Sequence, residues 1–166
     1  ETTPAVKVGD SFVLELFHGP TSAFKDVALQ MLPQLMSRAA EQTSERIMIL
    51  AATSGDTGKA ALAGFADTDG LGIVVFYPHG KTSEIQRLQM VTQKGGNVAV
   101  GAVRGNFDDT QSAVKRIFSD EALRERLHER GIVLSSANSI NIGRLAPQVV
   151  YYFDAYAQLV RSGAVE

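Results

Sequence analysis

Residues 47–52, Ile-Met-Ile-Leu-Ala-Ala, followed by Thr53-Ser54-Gly55-Asp56-Thr57-Gly58, decide the fold. An unbroken apolar run this short reads as a strand buried on both faces, the habit of parallel sheets. The glycine-bearing turn after it predicts a helix over 59–66. The same unit repeats outward. Residues 72–77 (GIVVFY) predict a strand stopped by Pro78-His79-Gly80, then 83–92 a helix with Ser83 as its N-cap. Residues 97–103 (NVAVGAV) predict another strand. Residues 108–130 carry Val114, Ile117, Phe118, Leu123 and Leu127 at helical spacing and predict two short helices broken near Ser119-Asp120. A brief strand over 132–134 and one long helix over 140–160, with Pro147 in its first turns, complete that half. Upstream, 12–17 (FVLELF) predict a strand, and 24–40 a helix that Pro33 kinks or interrupts. Alternating strands and helices imply an α/β fold: three layers, αβα, around a central, mainly parallel sheet. Ligands of such sheets bind beyond the carboxyl ends of the strands.

Composition narrows the function classes. The 166 residues suit one domain. Sixteen Lys and Arg against 18 Asp and Glu leave a net charge of −2, so no basic field calls for nucleic acid. Without Cys there is no disulfide scaffold, thiolate metal site or cysteine nucleophile, and three scattered His do not suggest a metal centre. No apolar run approaches the ~18 residues of a membrane helix. Lack of Cys fits a reducing compartment, and we expect a cytoplasmic protein with no nucleic-acid or membrane partner.

Two strand-to-helix turns carry the chemistry. Lys25 stands at a helix start, where the partial positive charge disfavours an ammonium. That placement suits an amine that must be neutral and nucleophilic; a snorkelling surface lysine, with Asp26 as the true helix-start charge, is the plainer alternative. In Ser54-Gly55-Asp56-Thr57-Gly58 the backbone N–H groups converge at a helix start, a place for a carboxylate or phosphate. Asp56 competes with an anion there unless it points elsewhere or caps the helix, so an ordinary capped turn is the equal alternative. Asn138-Ser139-Ile140-Asn141, with Arg144 a turn later, offers amides, a hydroxyl and a cation; capping by Ser139 or Asn138 is its plainer account. Gly105-Asn106-Phe107-Asp108 reads as a turn capped by Asp108, and Pro78-His79-Gly80-Lys81 as a solvated turn.

These motifs come in a known order. Residues 17–26 (FHGPTSAFKD) closely resemble the segment around the cofactor-binding lysine of threonine synthases of the bacterial and fungal type. Residues 52–58, 77–81 with Ile85-Gln86, 106–109 and 137–145 follow in that family's sequence. The resemblance spans essentially the whole chain. It implies the tryptophan-synthase-β type of fold and pyridoxal 5'-phosphate as cofactor. It also implies conversion of O-phosphohomoserine and water to threonine and phosphate. On it, Lys25 is the lysine that forms the internal aldimine, with Phe24 and Asp56 also at the cofactor. Ser54, Gly55, Asp56 and Thr57 become the loop for the substrate carboxylate. Asn138, Ser139, Asn141 and Arg144 become walls of the substrate site, with Arg144 a candidate for the substrate phosphate. The family's glycine-rich cofactor-phosphate turn comes later than the last motif matched here, and its members have a sizeable N-terminal region. The resemblance therefore implies a single α/β domain, an internal piece against which the rest of a parent chain packs, inactive or nearly so alone. A flavodoxin-like anion-binding module without covalent chemistry is the competing reading from the same turns. Threonine dehydratase and cysteine synthase are nearer alternatives on the same fold, but carry different residues at the Ser54 and Asn138 motifs.

Overall fold

The computed structural model describes residues 2–138 and 141–165. In chain order the elements are β1 (Ala5–Val8), β2 (Ser11–Leu14), α1 (Asp26–Thr43), β3 (Arg46–Ala52), α2 (Asp56–Phe65), β4 (Leu71–Pro78) and α3 (Glu84–Val91). Then come β5 (Val98–Val103), α4 (Phe107–Ser119), α5 (Glu121–His128), β6 (Ile132–Ser135), α6 (Ile142–Gln148) and α7 (Val150–Arg161). β5, β4, β3 and β6 lie side by side in that order as a wholly parallel sheet. The order puts β3 at the centre, with its following turn at the carboxyl edge, the position that ligand sites of such sheets use.

Register sorts the two faces. Ile49 and Ala51 pair with Ile73 and Val75, so all four point the same way. They form the core with Leu62 and Phe65 of α2, Leu29 and Leu32 of α1, and Met90 of α3. Leu50 and Ala52 point to the opposite face, where Val114 of α4 lies over them. The expected three layers are therefore present. Among the described residues, no helix is long and apolar enough to cross a membrane.

Pro33 and Gly64 explain each other. Pro33 lies inside α1, buried, and the helix runs on past it. It has no N–H for the carbonyl four residues back, that of Leu29. Against that same carbonyl oxygen α2 lays Gly64: a Cβ there would fall 1.9 Å from it. The expected interruption becomes a site of close backbone contact between two helices.

Three further expectations are corrected. Residues 12–17 do not join the parallel sheet. β2 instead pairs antiparallel with β1 through a two-residue turn at Gly9, whose φ is +60°. The signal was Gly9-Asp10 between two apolar runs, and a local hairpin closes more readily than a distant ladder. The helix expected over 140–160 is two, α6 and α7, parted at Val149, whose N–H donates to Ala146 O in a tightened turn just after Pro147. Finally, α4 is capped by Asn106, not Asp108. Asn106 and Asp109 exchange side-chain and backbone bonds in a capping box.

Candidate active site

The first turn is built around Asp26, the first residue of α1 and only 3% exposed. Its carboxylate accepts from Thr21 N (2.9 Å), Thr21 Oγ1 (2.5 Å) and Ala23 N (3.3 Å). Those bonds fold residues 19–25 back over the helix start, where a carboxylate is also favoured by the helix dipole. The Tyr151 hydroxyl donates to Phe24 O and ties the turn to α7; burial pushes that phenol up. Gln89 Nε2 of α3 donates to Thr21 O at 3.3 Å. Lys25 thereby occupies the N-cap position of α1, its Nζ 4.0 Å from the centre of the Phe24 ring.

Thr53 organises the second turn. Its buried Oγ1 accepts from the amides of Gly55 (3.0 Å) and Gly58 (2.9 Å). The first-turn amides of Asp56 and Thr57 have no helical carbonyl behind them. Gly55 has φ +152°, which favours glycine, and a Cβ there would lie 2.1 Å from Gln86 Oε1, so any other residue would displace the Gln86 amide. Ser54 is exposed at the tip and Thr57 half-buried.

Asp56 joins the turns. Its Oδ2 is 3.6 Å from Lys25 Nζ, its Oδ1 3.2 Å from Lys59 Nζ, and Oδ1 also accepts from Gln86 Nε2 at 2.8 Å. Burial holds the Lys25 amine below the ordinary lysine range, and the charges of Arg144 and Lys59 add to that; Asp56 pulls the other way and loses. For Asp56 burial pushes upward, but the bond and charge of Lys59, the charge of Lys25 and the Gln86 bond together hold it low. The two shifts are compatible because the lysine side chain is 13% exposed and the carboxylate 45%. The result is a partly enclosed amine, readier to be neutral, beside a committed anion.

Arg144 of α6 is 5% exposed. It donates from Nη1 to Ala137 O at 3.4 Å, its Nε has no hydrogen-bond partner among the described residues, and burial lowers its basicity. It lines a cleft of about 440 Å3 with Thr57, Ala137 and Asn138. Asn141 is the N-cap of α6: Oδ1 accepts from Gly143 N at 2.9 Å and Nδ2 donates to Ser136 O at 3.1 Å. Ser139 lies outside the described residues. A larger hollow, about 780 Å3, sits between α5 and β6 and contains none of these groups, so volume does not mark the chemistry here.

The structure thus gathers Phe24, Lys25, Gly55, Asp56 and Thr57 at the carboxyl edge of β3, and brings Arg144 within electrostatic reach of Lys25. Lys59 was missed. Its signal was a lone cation one helical turn after Asp56 in an otherwise small and apolar helix. An enclosed amine readier to be neutral can condense with a carbonyl-bearing ligand, and the unpartnered buried guanidinium nitrogen offers a donor to an anionic group.

Comparison with known proteins agrees. The model of the family described as "Pyridoxal-phosphate dependent enzyme" matches residues 4–159. A threonine synthase of Pseudomonas aeruginosa is 47% identical over 151 residues, 91% of this chain and 31% of that protein. The human protein "Threonine synthase-like 1" is 46% identical over 95% of this chain and 22% of its own length. A crystal structure of threonine synthase from Brucella melitensis, with pyridoxal phosphate bound, superposes with a TM-score of 0.86 at 46% identity, covering 95% of this chain and 33% of that one. The chain spans about a third or less of these relatives' lengths. The flavodoxin-like alternative is set aside, and the chain belongs to the pyridoxal-phosphate-dependent enzyme family.

Proposed function

We propose that this chain is the cofactor-facing α/β unit of a threonine synthase, a carbon–oxygen lyase acting on phosphates in the cytoplasm. The reaction is O-phosphohomoserine and water to threonine and phosphate. One observation carries the reading: the Lys25 amine is enclosed at a helix start and faces Asp56 of the neighbouring turn at 3.6 Å. The 47% identity to a threonine synthase supports the substrate class.

Lys25, Phe24 and Asp56 are the residues that would hold pyridoxal phosphate, Lys25 through its Nζ. When bound, that cofactor supplies an electron sink for charge developing on substrate carbons. The remaining work falls to the protein. Lys25 Nζ, its basicity lowered by burial, takes and returns protons. The hydroxyls of Ser54 and Thr57 and the first-turn amides of α2 receive the substrate carboxylate. Asn138, Ser139, Asn141 and Arg144 form the wall toward the phosphate end, where the unpartnered Arg144 Nε is a donor without an acceptor.

The unit presents a broad apolar surface on α6 and α7: Ile142, Tyr152 (77% exposed), Phe153 (71%) and Tyr156. A face of that size is a packing surface, and we assign it to the rest of a longer parent chain. That part would also grip the cofactor phosphate, so the 166 residues alone would bind cofactor weakly and turn over little. In the full-length protein, added cofactor should give the visible absorbance of a lysine-linked complex, and O-phosphohomoserine should release phosphate. Lys25→Ala should abolish both. If the variant kept the band and full turnover, the assignment would be wrong. Brisk threonine formation by the isolated 166-residue chain would refute the division of labour.

A further inference from the structure

We propose that Lys59 is a positioning residue for this site: its buried ammonium, with the Gln86 amide, pins Oδ1 of Asp56 so that Oδ2 alone faces the Lys25 amine. The inference rests on Lys25 being the cofactor lysine. Lys59 is 7% exposed, on α2, one turn after Asp56. An ammonium so enclosed is unfavourable unless paired, and Asp56 Oδ1 at 3.2 Å supplies the pairing.

The carboxylate is oriented from two elements. Lys59 comes from its own helix, Gln86 from α3 at 2.8 Å. The Gln86 amide is oriented in turn, because Ser83 Oγ donates to its Oε1 at 3.0 Å and so leaves Nε2 for Asp56. Gly55 closes the arrangement, with no space for a Cβ beside Gln86. With Oδ1 engaged twice, Oδ2 is the atom left toward Lys25.

The charges explain why a second lysine is useful. The charged groups acting on Lys25 are Asp56 and Lys59 from α2 and Arg144 from α6. A lone Asp56 beside Lys25 would stabilise its ammonium and keep the amine unreactive. Lys59 neutralises that carboxylate from the far side and repels positive charge at Lys25. It also keeps Asp56 ionised whenever the Lys25 nitrogen carries no charge. Lys59 touches no reacting atom in this scheme; it acts through Asp56.

The test measures Lys25 itself in the unloaded full-length protein. Competitive acetylation with isotope-labelled acetic anhydride, followed by peptide mass spectrometry, gives the reactivity of each lysine against pH, with exposed Lys7 and Lys94 as internal standards. Lys59→Met should slow Lys25 acetylation at neutral pH by about threefold to tenfold and move its profile to higher pH. Lys59→Arg should restore most of the difference. Gln86→Leu, which removes the other Oδ1 donor and no charge, should shift the profile the same way by less, and serves if Lys59→Met does not fold. Profiles of Lys59→Met or Gln86→Leu that coincide with the parent protein would overturn the proposal. Borohydride fixation of added cofactor on the unmutated protein tests the underlying reading separately. Label on a lysine other than Lys25 would sink that reading whatever the acetylation profiles show.

Discussion

Asp26→Asn isolates what holds Lys25 in place. The Asp26 carboxylate accepts three hydrogen bonds from Thr21 and Ala23 in a buried setting. Bonds to a charged acceptor contribute ~1.5–3 kcal/mol each and neutral ones about 1, so the isosteric change removes roughly 0.5–2 kcal/mol from each of the three, and the lower end applies here. Loss of charge at the helix start adds about 0.5 kcal/mol. Relief of a buried charge offsets part of this, leaving about 2 kcal/mol net. The turn should therefore open about 30-fold more often. Hydrogen-exchange mass spectrometry on the full-length protein reads this directly at the Thr21 and Ala23 amides. Asp108→Asn, an exposed first-turn carboxylate on α4, is the control and should leave residues 19–26 unchanged. If Asp26→Asn altered exchange there by less than threefold, the claim that Asp26 builds the lysine turn would be wrong.

Further outcomes follow from the second turn and the exposed face. Thr53→Val strips the acceptor from two buried amides and should cost about 2–3 kcal/mol, seen as faster exchange at Gly55 and Gly58 and a lower melting temperature. Gly55→Ala places a Cβ against the Gln86 side chain at a φ of +152° that favours glycine; cofactor affinity, titrated by absorbance, should fall at least about tenfold, and the melting temperature should drop with a cost of about 1–3 kcal/mol. Because Asp56 is held low, its contribution is present above the unfolded value and lost as pH falls through the folded one. Its carboxyl carbon should accordingly titrate below the ordinary 3.8 in an NMR pH series, and a midpoint at or above that value would contradict the ion pairs described. Tyr152→Glu or Phe153→Glu should destabilise the full-length protein far more than an exposed substitution does, by about 2 kcal/mol or more in chemical denaturation; no change would place that face in solvent.

The sheet was readable because its strands carry their own signature. Residues 46–52 and 71–78 are largely buried inner strands, and 98–103 is a half-buried edge strand; in each the apolar run needs no partner to be recognised. Residues 12–17 misled for the same reason: the apolar run was real, but its partner was four residues upstream, and apolarity does not say which ladder a strand joins. Pro33 was legible as a disturbance and illegible as a contact, since Gly64 is far away in sequence. At the site, Lys25 and the Ser54 to Gly58 turn stood out by local chemistry and by motif order. Gln86 stood out only by motif order, with no role attached, and Lys59 not at all, because each matters only through a carboxylate that the fold brings to it. Asn141 shows the converse: an amide noticed as a ligand candidate caps α6 with its Oδ1 and ties back to Ser136 O with its Nδ2.

The contact between Gly64 and the Leu29 carbonyl has a mechanical meaning. Lys25 precedes α1 and Asp56 begins α2, so the amine and its carboxylate ride on the leading ends of two helices that touch main chain to main chain. Main-chain contacts have no rotamers to absorb a displacement. Whatever motion carries this unit toward or away from a neighbouring domain, the two groups travel as one piece. The spacing between them is then a dimension of the scaffold, alterable at position 64, well away from the reacting atoms.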